Sequence, residues 1–123
     1  MNAIDRKALI HQYKETRRPI GVFRVHNIKS GKSLVGTSKD LPSALNSQRA
    51  QLRLEAHSNK ELQKDWNNLG PEAFIFEILD TLTLPDRQDY KPDSDLKVLE
   101  SLWLDKLSPF DGRGYNAKSK PVA

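Results

Sequence analysis

Two β-prone segments joined by a turn-forming sequence are the feature that most restricts the fold of this chain. Residues 20–26 and 33–37 are rich in β-branched and aromatic side chains. Between them, residues 27–31 read Asn-Ile-Lys-Ser-Gly, which supplies the polar residues and the glycine that tight turns favour. Because neighbouring strands with so short a connection pair antiparallel, the pattern predicts a β-hairpin.

Helical periodicity is present on both sides of this hairpin. Residues 2–17 carry apolar side chains at loosely helical spacing and stop before Pro19, which predicts an N-terminal helical extension. After the hairpin, a second helix is predicted with Pro42 in its first turn. Its apolar face is formed by Leu41, Leu45, Leu52 and Ala56.

A further helix is predicted directly after this one. Ser58 and Glu61 have the spacing of a capping box at its start, and Gly70-Pro71 marks its end. Its buried stripe is predicted to consist of Leu62, Trp66 and Leu69.

The last part of the chain is predicted to add one strand and one helix. Residues 74–79 have strand composition, residues 84–95 are polar and contain proline, and a final helix ends before Pro109. The inward stripe of that helix is predicted to be Leu96, Leu99, Trp103 and Leu107. The order of elements predicts an α+β fold in which helices flank a small three-stranded antiparallel sheet.

The composition is that of one globular domain with an uneven charge. The chain has 123 residues and a formal net charge of +4. Residues 1–70 hold thirteen Lys and Arg against six Asp and Glu, whereas residues 71–123 hold seven against ten. The basic half suits a polyanionic partner, and a solvated surface explains it equally well.

The absence of cysteine and of long apolar runs excludes several classes of protein. Without cysteine there are no disulfides or thiolate metal sites, and the three histidines are too scattered to suggest a zinc site. No apolar run approaches the roughly 18 residues that a membrane helix needs, and residues 1–10 are too polar for a signal peptide. We therefore expect a cytoplasmic protein.

Four short motifs occur in a recognisable order. They are Gly21-Val22-Phe23, Leu34-Val35-Gly36, Glu100 within an apolar helix, and Gly114-Tyr115-Asn116. In order and spacing they resemble the GIY-YIG family of metal-dependent DNA endonucleases, and the resemblance covers residues 19–116. It implies three parts: an N-terminal helical extension (1–18), a GIY-YIG-like domain (19–116) and a C-terminal tail (117–123).

The resemblance also implies that three catalytic side chains are missing. In the family, one motif tyrosine serves as the base, a second positions the nucleophile, and an arginine on the following helix binds the scissile phosphate. The corresponding residues here are Phe23, Leu34 and Ala44. None carries a polar group, so none can take a proton or bind a phosphate.

Three other positions match functional residues of the family. Glu100 matches its metal-binding glutamate, which implies a Mg²⁺ site, since Mg²⁺ needs only one or two protein carboxylates. The alternative for Glu100 is an ion pair with a nearby Lys or Arg. Asn116 matches the terminal asparagine. His57 matches a histidine of some members and, with Tyr115, is a candidate base; helix-end chemistry and packing are the alternative roles.

Basic side chains near these motifs form a candidate DNA interface. Arg49, Arg53 and His57 recur every four residues along one helix, and Lys32 and Lys39 border the motifs. The prediction is a phosphate-contacting stripe that tolerates any base sequence, with Arg49 and Arg53 both on the solvent side of their helix. The alternative is a solvated helix face without a DNA partner.

Three hypotheses about function follow. The first is a nuclease-derived domain with impaired or absent catalysis that keeps sequence-tolerant DNA binding. The second is an active, divergent metal-dependent DNA endonuclease using Glu100, Lys32 and an unidentified base. The third is a protein-interaction module that keeps only the fold.

Overall fold

The computed structural model describes residues 19–83 and 89–117, which form a three-stranded sheet with three helices. The strands are β1 (Gly21–Asn27), β2 (Ser33–Ser38) and β3 (Phe74–Thr81), and the helices are α1 (Leu41–Arg53), α2 (Lys60–Leu69) and α3 (Asp93–Leu107). Short 3₁₀ turns cover Pro71–Ala73 and Asp111–Arg113. This confirms the predicted α+β class. The predicted N-terminal extension lies outside the described residues, as does most of the tail.

The sheet is antiparallel throughout and has the order β2-β1-β3. The predicted hairpin is confirmed, with Val25 opposite Leu34 on one side and Phe76 on the other. Strand β3 runs to Thr81, two residues beyond the predicted end, and a register shift beside Val22 marks a bulge in its pairing with β1. The central strand therefore supplies side chains to both faces of the sheet.

The main core lies between one face of the sheet and the helices α1 and α2. Trp66 is its largest side chain, with 8% of its surface exposed and its ring centroid 5.4 Å from that of Phe74. The buried residues of this cluster are Val25, Leu52, Leu62, Trp66, Ala73, Phe74 and Tyr115. The predicted apolar stripe of α2 is thereby confirmed.

Helix α3 contacts β1 and β2, and its burial is lower than predicted. Leu96 is buried, whereas Trp103 is only half-buried, although the sequence placed both in one inward stripe. The Trp103 indole N–H donates to Asp80 Oδ2 at 3.0 Å, and Lys106 Nζ lies 4.8 Å from the ring centroid. The polar N–H edge of the indole therefore faces polar groups near the surface, while the rest of the ring packs against the protein. Within the described part of the chain, no helix could cross a membrane.

The start of α2 differs from the prediction. Asn59, not Ser58, is the N-cap residue, and its Oδ1 accepts a hydrogen bond from Leu62 N at 3.0 Å. Glu61 then cannot close the predicted capping box and instead pairs with Lys32. Asparagine is as favourable as serine at an N-cap, so both Ser58 and the adjacent Asn59 are suitable cap residues.

The ends of the other two helices also differ from the sequence patterns. Helix α1 ends at Arg53, so Ala56 lies exposed beyond it, in the connection to α2. Helix α3 begins at Asp93, inside the segment predicted as loop. Acidic residues in a first helical turn are favoured by the helix dipole, and they account for this earlier start.

Candidate functional site

The first motif position is occupied by an aromatic ring packed onto the sheet. Phe23 is 5% exposed and lies opposite Gly36 in the β1–β2 pairing. A Cβ atom at Gly36 would come within 2.7 Å of Phe23 Cζ, so the ring covers the glycine closely. Gly36 is therefore required by the approach of this ring, and the pair forms an apolar surface with no proton acceptor.

The other two positions that match catalytic residues of the GIY-YIG family are also apolar and partly buried. Leu34 is half-buried and packs against the main core. Ala44 is half-buried in the first turn of α1, where its N–H donates to the Asp40 carbonyl at 3.0 Å. Neither side chain can order a water molecule or hold a phosphate.

Glu100 is a half-buried carboxylate on the inward side of α3. Its neighbours one turn away are Leu96, which is buried, and Leu104, which is half-buried. Among residues 19–83 and 89–117, no hydrogen bond or ion pair engages it, so the predicted alternative of a basic partner is not realised there. Because the residue is also partly exposed, its carboxylate is either solvated or available to a cation.

The described residues offer no larger cluster of metal ligands around this carboxylate. No group of three or more His, Cys, Asp or Glu side chains is placed to hold a metal ion in that part of the chain. If Mg²⁺ binds here, Glu100 would be its protein carboxylate, and waters and substrate phosphates would have to complete the octahedron.

His57 is buried and both of its ring nitrogens are engaged. The backbone N–H of Asn59 donates to Nδ1 at 3.0 Å, so Nδ1 must be unprotonated and Nε2 carries the hydrogen that it donates to Gln48 Oε1. Burial lowers the pKa of His57, although the hydrogen bond from Asn59 partly opposes this shift. The ring therefore links the end of α1 to the start of α2.

This arrangement predicts a loss of stability in mild acid. A histidine whose pKa is lowered by folding contributes stability above its unfolded value of about 6.5, and that stability is lost as the pH falls toward the folded value. His26 acts in the same direction, because burial and then Arg24 lower its pKa. Urea unfolding should therefore give a lower free energy at pH 5.5 than at pH 7.5.

The contribution of His57 can be separated from that of His26 by substitution. In His57→Gln the pH dependence should become shallower, with only the part due to His26 remaining. An identical pH dependence in the variant and the wild type would contradict the assignment.

Tyr115 is fixed by two hydrogen bonds at its hydroxyl. The hydroxyl donates to Asp65 Oδ2 at 2.6 Å and accepts from Asn27 Nδ2 at 3.0 Å, and the residue is 4% exposed. Burial, followed by the hydrogen bond to Asp65, raises the pKa of Tyr115 to about 12. A phenol with so high a pKa keeps its proton at pH 7 and is poorly matched to the role of a base.

Asn116 lies against the outer edge of β2. Its Nδ2 donates to the Val35 carbonyl at 2.8 Å and its Oδ1 accepts from Val35 N at 2.8 Å. Next to it, Tyr115 N donates to the Ser33 carbonyl at 2.9 Å. The segment 114–116 thereby satisfies edge groups of the sheet, and the side chain of Asn116 is fully engaged in doing so.

Both lysines of the predicted DNA interface are paired with carboxylates. Lys32 Nζ lies 2.8 Å from Glu61 Oε1, and this hydrogen bond raises the pKa of Lys32. Lys39 Nζ lies 2.7 Å from Asp93 Oδ1 at the start of α3, and the lysine lowers the pKa of Asp93. Both pairs are largely exposed, so each is weak.

The two arginines of the interface have different environments. Arg53 is exposed at the end of α1, as predicted. Arg49 is half-buried, with its guanidinium carbon 4.6 Å from the centroid of the Phe76 ring. The expectation that both face solvent is therefore wrong for Arg49, because Phe76 provides an aromatic face on which a guanidinium stacks.

The comparisons with known proteins agree with this architecture. No family model and no curated protein matches the chain. Among solved structures, it is similar to the catalytic domain of the homing endonuclease I-TevI, at 26% identity and a TM-score of 0.64, covering 81% of this chain and 99% of that one. A glutamate-to-alanine mutant of the same domain gives 24% identity and a TM-score of 0.65, covering 83% and 97%. The chain therefore has the GIY-YIG-like fold of a nuclease catalytic domain.

Proposed function

We propose that this protein is a nuclease-derived domain that binds the DNA backbone without cleaving it. The observation that carries the proposal is the Phe23 ring, which occupies the first motif position, is almost fully buried and closes over Gly36. A phenylalanine there removes the group that would deprotonate the attacking water, and no polar atom takes its place.

The other candidate bases are committed to the fold. His57 uses both ring nitrogens in hydrogen bonds, and Tyr115 keeps its proton on Asp65. Phosphodiester hydrolysis also needs positive charge on the phosphate oxygens, whereas Ala44 offers none and Lys32 is paired with Glu61. These losses accumulate, since a base and a charge clamp each contribute about 10²-fold or more to such reactions.

DNA binding makes smaller demands than cleavage. It requires only positive side chains that reach phosphates, and it needs no correctly protonated base. The structural neighbours are catalytic domains of a homing endonuclease, so we expect a DNA-binding surface to be retained together with the fold. Exposed Arg53 and the paired Lys32 and Lys39 are consistent with weak, sequence-tolerant contact.

The test of this proposal is a cleavage assay combined with a binding assay. Purified protein with Mg²⁺ or Mn²⁺ should leave plasmid, linear and branched DNA uncut above background, because base, orienting group and phosphate clamp are all absent. The same preparation should bind a DNA duplex at low salt. Binding should weaken steeply as salt increases, as expected for phosphate contacts.

A matched variant decides what any observed cleavage would mean. Metal-dependent cleavage that disappears in Glu100→Ala would refute the proposal and establish an active enzyme. Cleavage that persists in Glu100→Ala would identify a contaminating nuclease and leave the proposal intact. Absence of binding at low salt would favour a protein-interaction module instead.

The second candidate function is an active, divergent endonuclease, and the state of Glu100 favours it. The carboxylate is half-buried and has no partner in the described residues, as a metal ligand would be. When bound there, Mg²⁺ would supply positive charge to the phosphate oxygens. This candidate still lacks a base, which is why we rank it second.

A further inference from the structure

We propose that the DNA backbone contacts the hairpin turn and α2, at a surface that we call the α2 edge, and that Glu61 restrains binding there. The α2 edge consists of Lys29, Lys32, Lys60 and Lys64. The proposal rests on the proposed function and specifies which surface performs it. The interface predicted from the sequence includes Lys32 but combines it with Lys39 and with Arg49 and Arg53 on α1.

The ion pair between Lys32 and Glu61 brings the hairpin turn and α2 together. Lys64 follows Glu61 by three residues and therefore lies beside this pair on the helix surface, and Lys60 lies on the same helix face as Lys64. Lys60 and Lys64 are themselves four residues apart, about 6 Å along the helix axis. The lysines of two distant segments thus share one surface, which sequence spacing alone does not reveal.

The turn that carries Lys29 is fixed rather than loosely attached. Asn27 Oδ1 accepts from the backbone N–H groups of Lys29 and Ser30, at 3.0 and 3.2 Å. The same asparagine donates through Nδ2 to the Tyr115 hydroxyl, which donates to Asp65 on α2. The position of the turn against α2 is therefore set by hydrogen bonds that are buried or partly buried.

Three lysines of the α2 edge are free to engage phosphates. Lys29, Lys60 and Lys64 are exposed, and within residues 19–83 and 89–117 no ion pair or hydrogen bond engages their side chains. The nearest helical carboxylate apart from Glu61 is Asp65, which accepts the Tyr115 hydroxyl hydrogen bond. Exposed lysines with long, flexible side chains are suited to contact the DNA phosphate backbone independently of the base sequence.

The charges of helix α3 make it a less favourable DNA surface than the α2 edge. It carries four acidic residues against two basic ones: Asp93, Asp95, Glu100 and Asp105 against Lys97 and Lys106. Lys39 reaches toward this helix and pairs with Asp93. A polyanion is repelled by such a helix and is steered to the edge where lysines predominate.

Glu61 has the position of an internal competitor for phosphate. Its carboxylate is already paired with the Lys32 ammonium group, so a phosphate can bind that lysine only by displacing Glu61. Because the pair is exposed and weak, displacement is feasible and the restraint is modest. The negative charge of Glu61 also lies on the same helix as Lys60 and Lys64, one and three residues away, and it lowers the attraction of this surface for phosphate.

The test uses fluorescence anisotropy of a labelled 20-base-pair duplex with the full chain. The double variant Lys60→Glu/Lys64→Glu should lose at least tenfold in affinity, and its salt slope should fall by about two units. The control Lys91→Glu/Lys97→Glu changes the net charge equally near and on α3, and it should lose much less. Circular dichroism and urea unfolding should show that both variants remain folded, since all four lysines are exposed.

A gain in affinity tests the role of Glu61. Glu61→Gln should bind the same duplex about two- to fivefold more tightly, because Lys32 is released and a negative charge is removed. Asp105→Asn removes the same charge from α3 and should change affinity less. An equal gain in both variants would refute the competitor role of Glu61.

The outcomes separate this proposal from the proposed function. If the wild type binds DNA but both lysine variants lose affinity equally, DNA binding stands and the α2 edge is wrong. If the wild type does not bind at low salt, the proposed function fails, and the α2 edge fails with it. A selective loss at the α2 edge together with a selective gain in Glu61→Gln supports the proposal.

Discussion

Replacing Trp66 with alanine is expected to lower the free energy of unfolding by about 3–5 kcal/mol. Its indole is 8% exposed in the main core, and its ring packs at 5.4 Å against Phe74 and at 6.1 Å against Phe76, measured between centroids. Truncation removes these contacts and leaves a cavity that the sheet and helix α1 cannot fully close, since both are held by their own hydrogen bonds.

Trp103→Ala provides the matched comparison. This indole is half-buried, so its truncation forfeits less packing, together with one hydrogen bond to Asp80, and should cost about 1–2 kcal/mol. Urea unfolding monitored by far-ultraviolet circular dichroism measures both values. Equal costs for the two variants would contradict the described core, and a small cost for Trp66→Ala would show that α2 does not pack on the sheet.

Intrinsic fluorescence offers an independent check on the same pair. In Trp66→Phe the remaining emission comes from Trp103, and it should be red-shifted and accessible to acrylamide. In Trp103→Phe the emission of Trp66 should be blue-shifted and protected. The two single-tryptophan proteins thus report the burial of each indole without relying on its truncation to alanine.

The hairpin and the helices were predictable because their signals are local. Alternating strand composition on both sides of residues 27–31 determines β1 and β2, and helical spacing around Trp66 determines α2. Local signals do not fix how deeply an element is buried. Trp103 has the same spacing as a core residue, yet the neighbouring Asp80 and Lys106 keep its edge accessible.

The candidate site was only partly predictable for a related reason. The spacing of motifs identifies Phe23, Leu34 and Ala44 as positions of interest, and the chemistry of these side chains predicts an impaired site directly. It does not reveal partners that are distant in sequence. Gln48 for His57 and Glu61 for Lys32 become visible only when α1, α2 and the turn are assembled.

Arg49 illustrates the same limit at the proposed interface. Four-residue spacing groups it with Arg53, but Phe76 comes from a strand 27 residues further along the chain. Reversing Arg49 to glutamate would therefore disturb the packing around Phe76 as well as any DNA contact. A change in DNA binding in that variant would not by itself identify a DNA surface, whereas the lysines of the α2 edge avoid this ambiguity.

Tyr115→Ala is expected to destabilise the protein as strongly as Trp66→Ala, by about 3–5 kcal/mol. Tyr115 is 4% exposed, fills the core beside Leu62, and joins the hairpin turn to α2 through Asn27 and Asp65. Its backbone carbonyl also accepts from Asn59 Nδ2 at 2.7 Å, so the C-terminal segment is anchored on α2 at two points. Loss of the side chain removes both the packing and the buried link.

The hydroxyl alone can be tested with Tyr115→Phe. This change leaves Asn27 Nδ2, in a fully buried residue, without its acceptor, and should cost about 1–3 kcal/mol. Tyr90→Phe is the matched control, because the Tyr90 hydroxyl donates to the exposed Asp95, where water can replace it. That variant should cost less than about 1 kcal/mol.

The comparison of these tyrosine variants bears directly on whether Tyr115 has a catalytic role. If Tyr115→Phe lowers stability while Tyr90→Phe does not, the hydroxyl is a structural group whose proton is committed to Asp65. If Tyr115→Phe is neutral for stability, the hydrogen bonds to Asn27 and Asp65 contribute little, and the phenol would be free for another use. Because a raised pKa and two hydrogen-bond partners, of which Asn27 is fully buried, both oppose that second outcome, we expect the first.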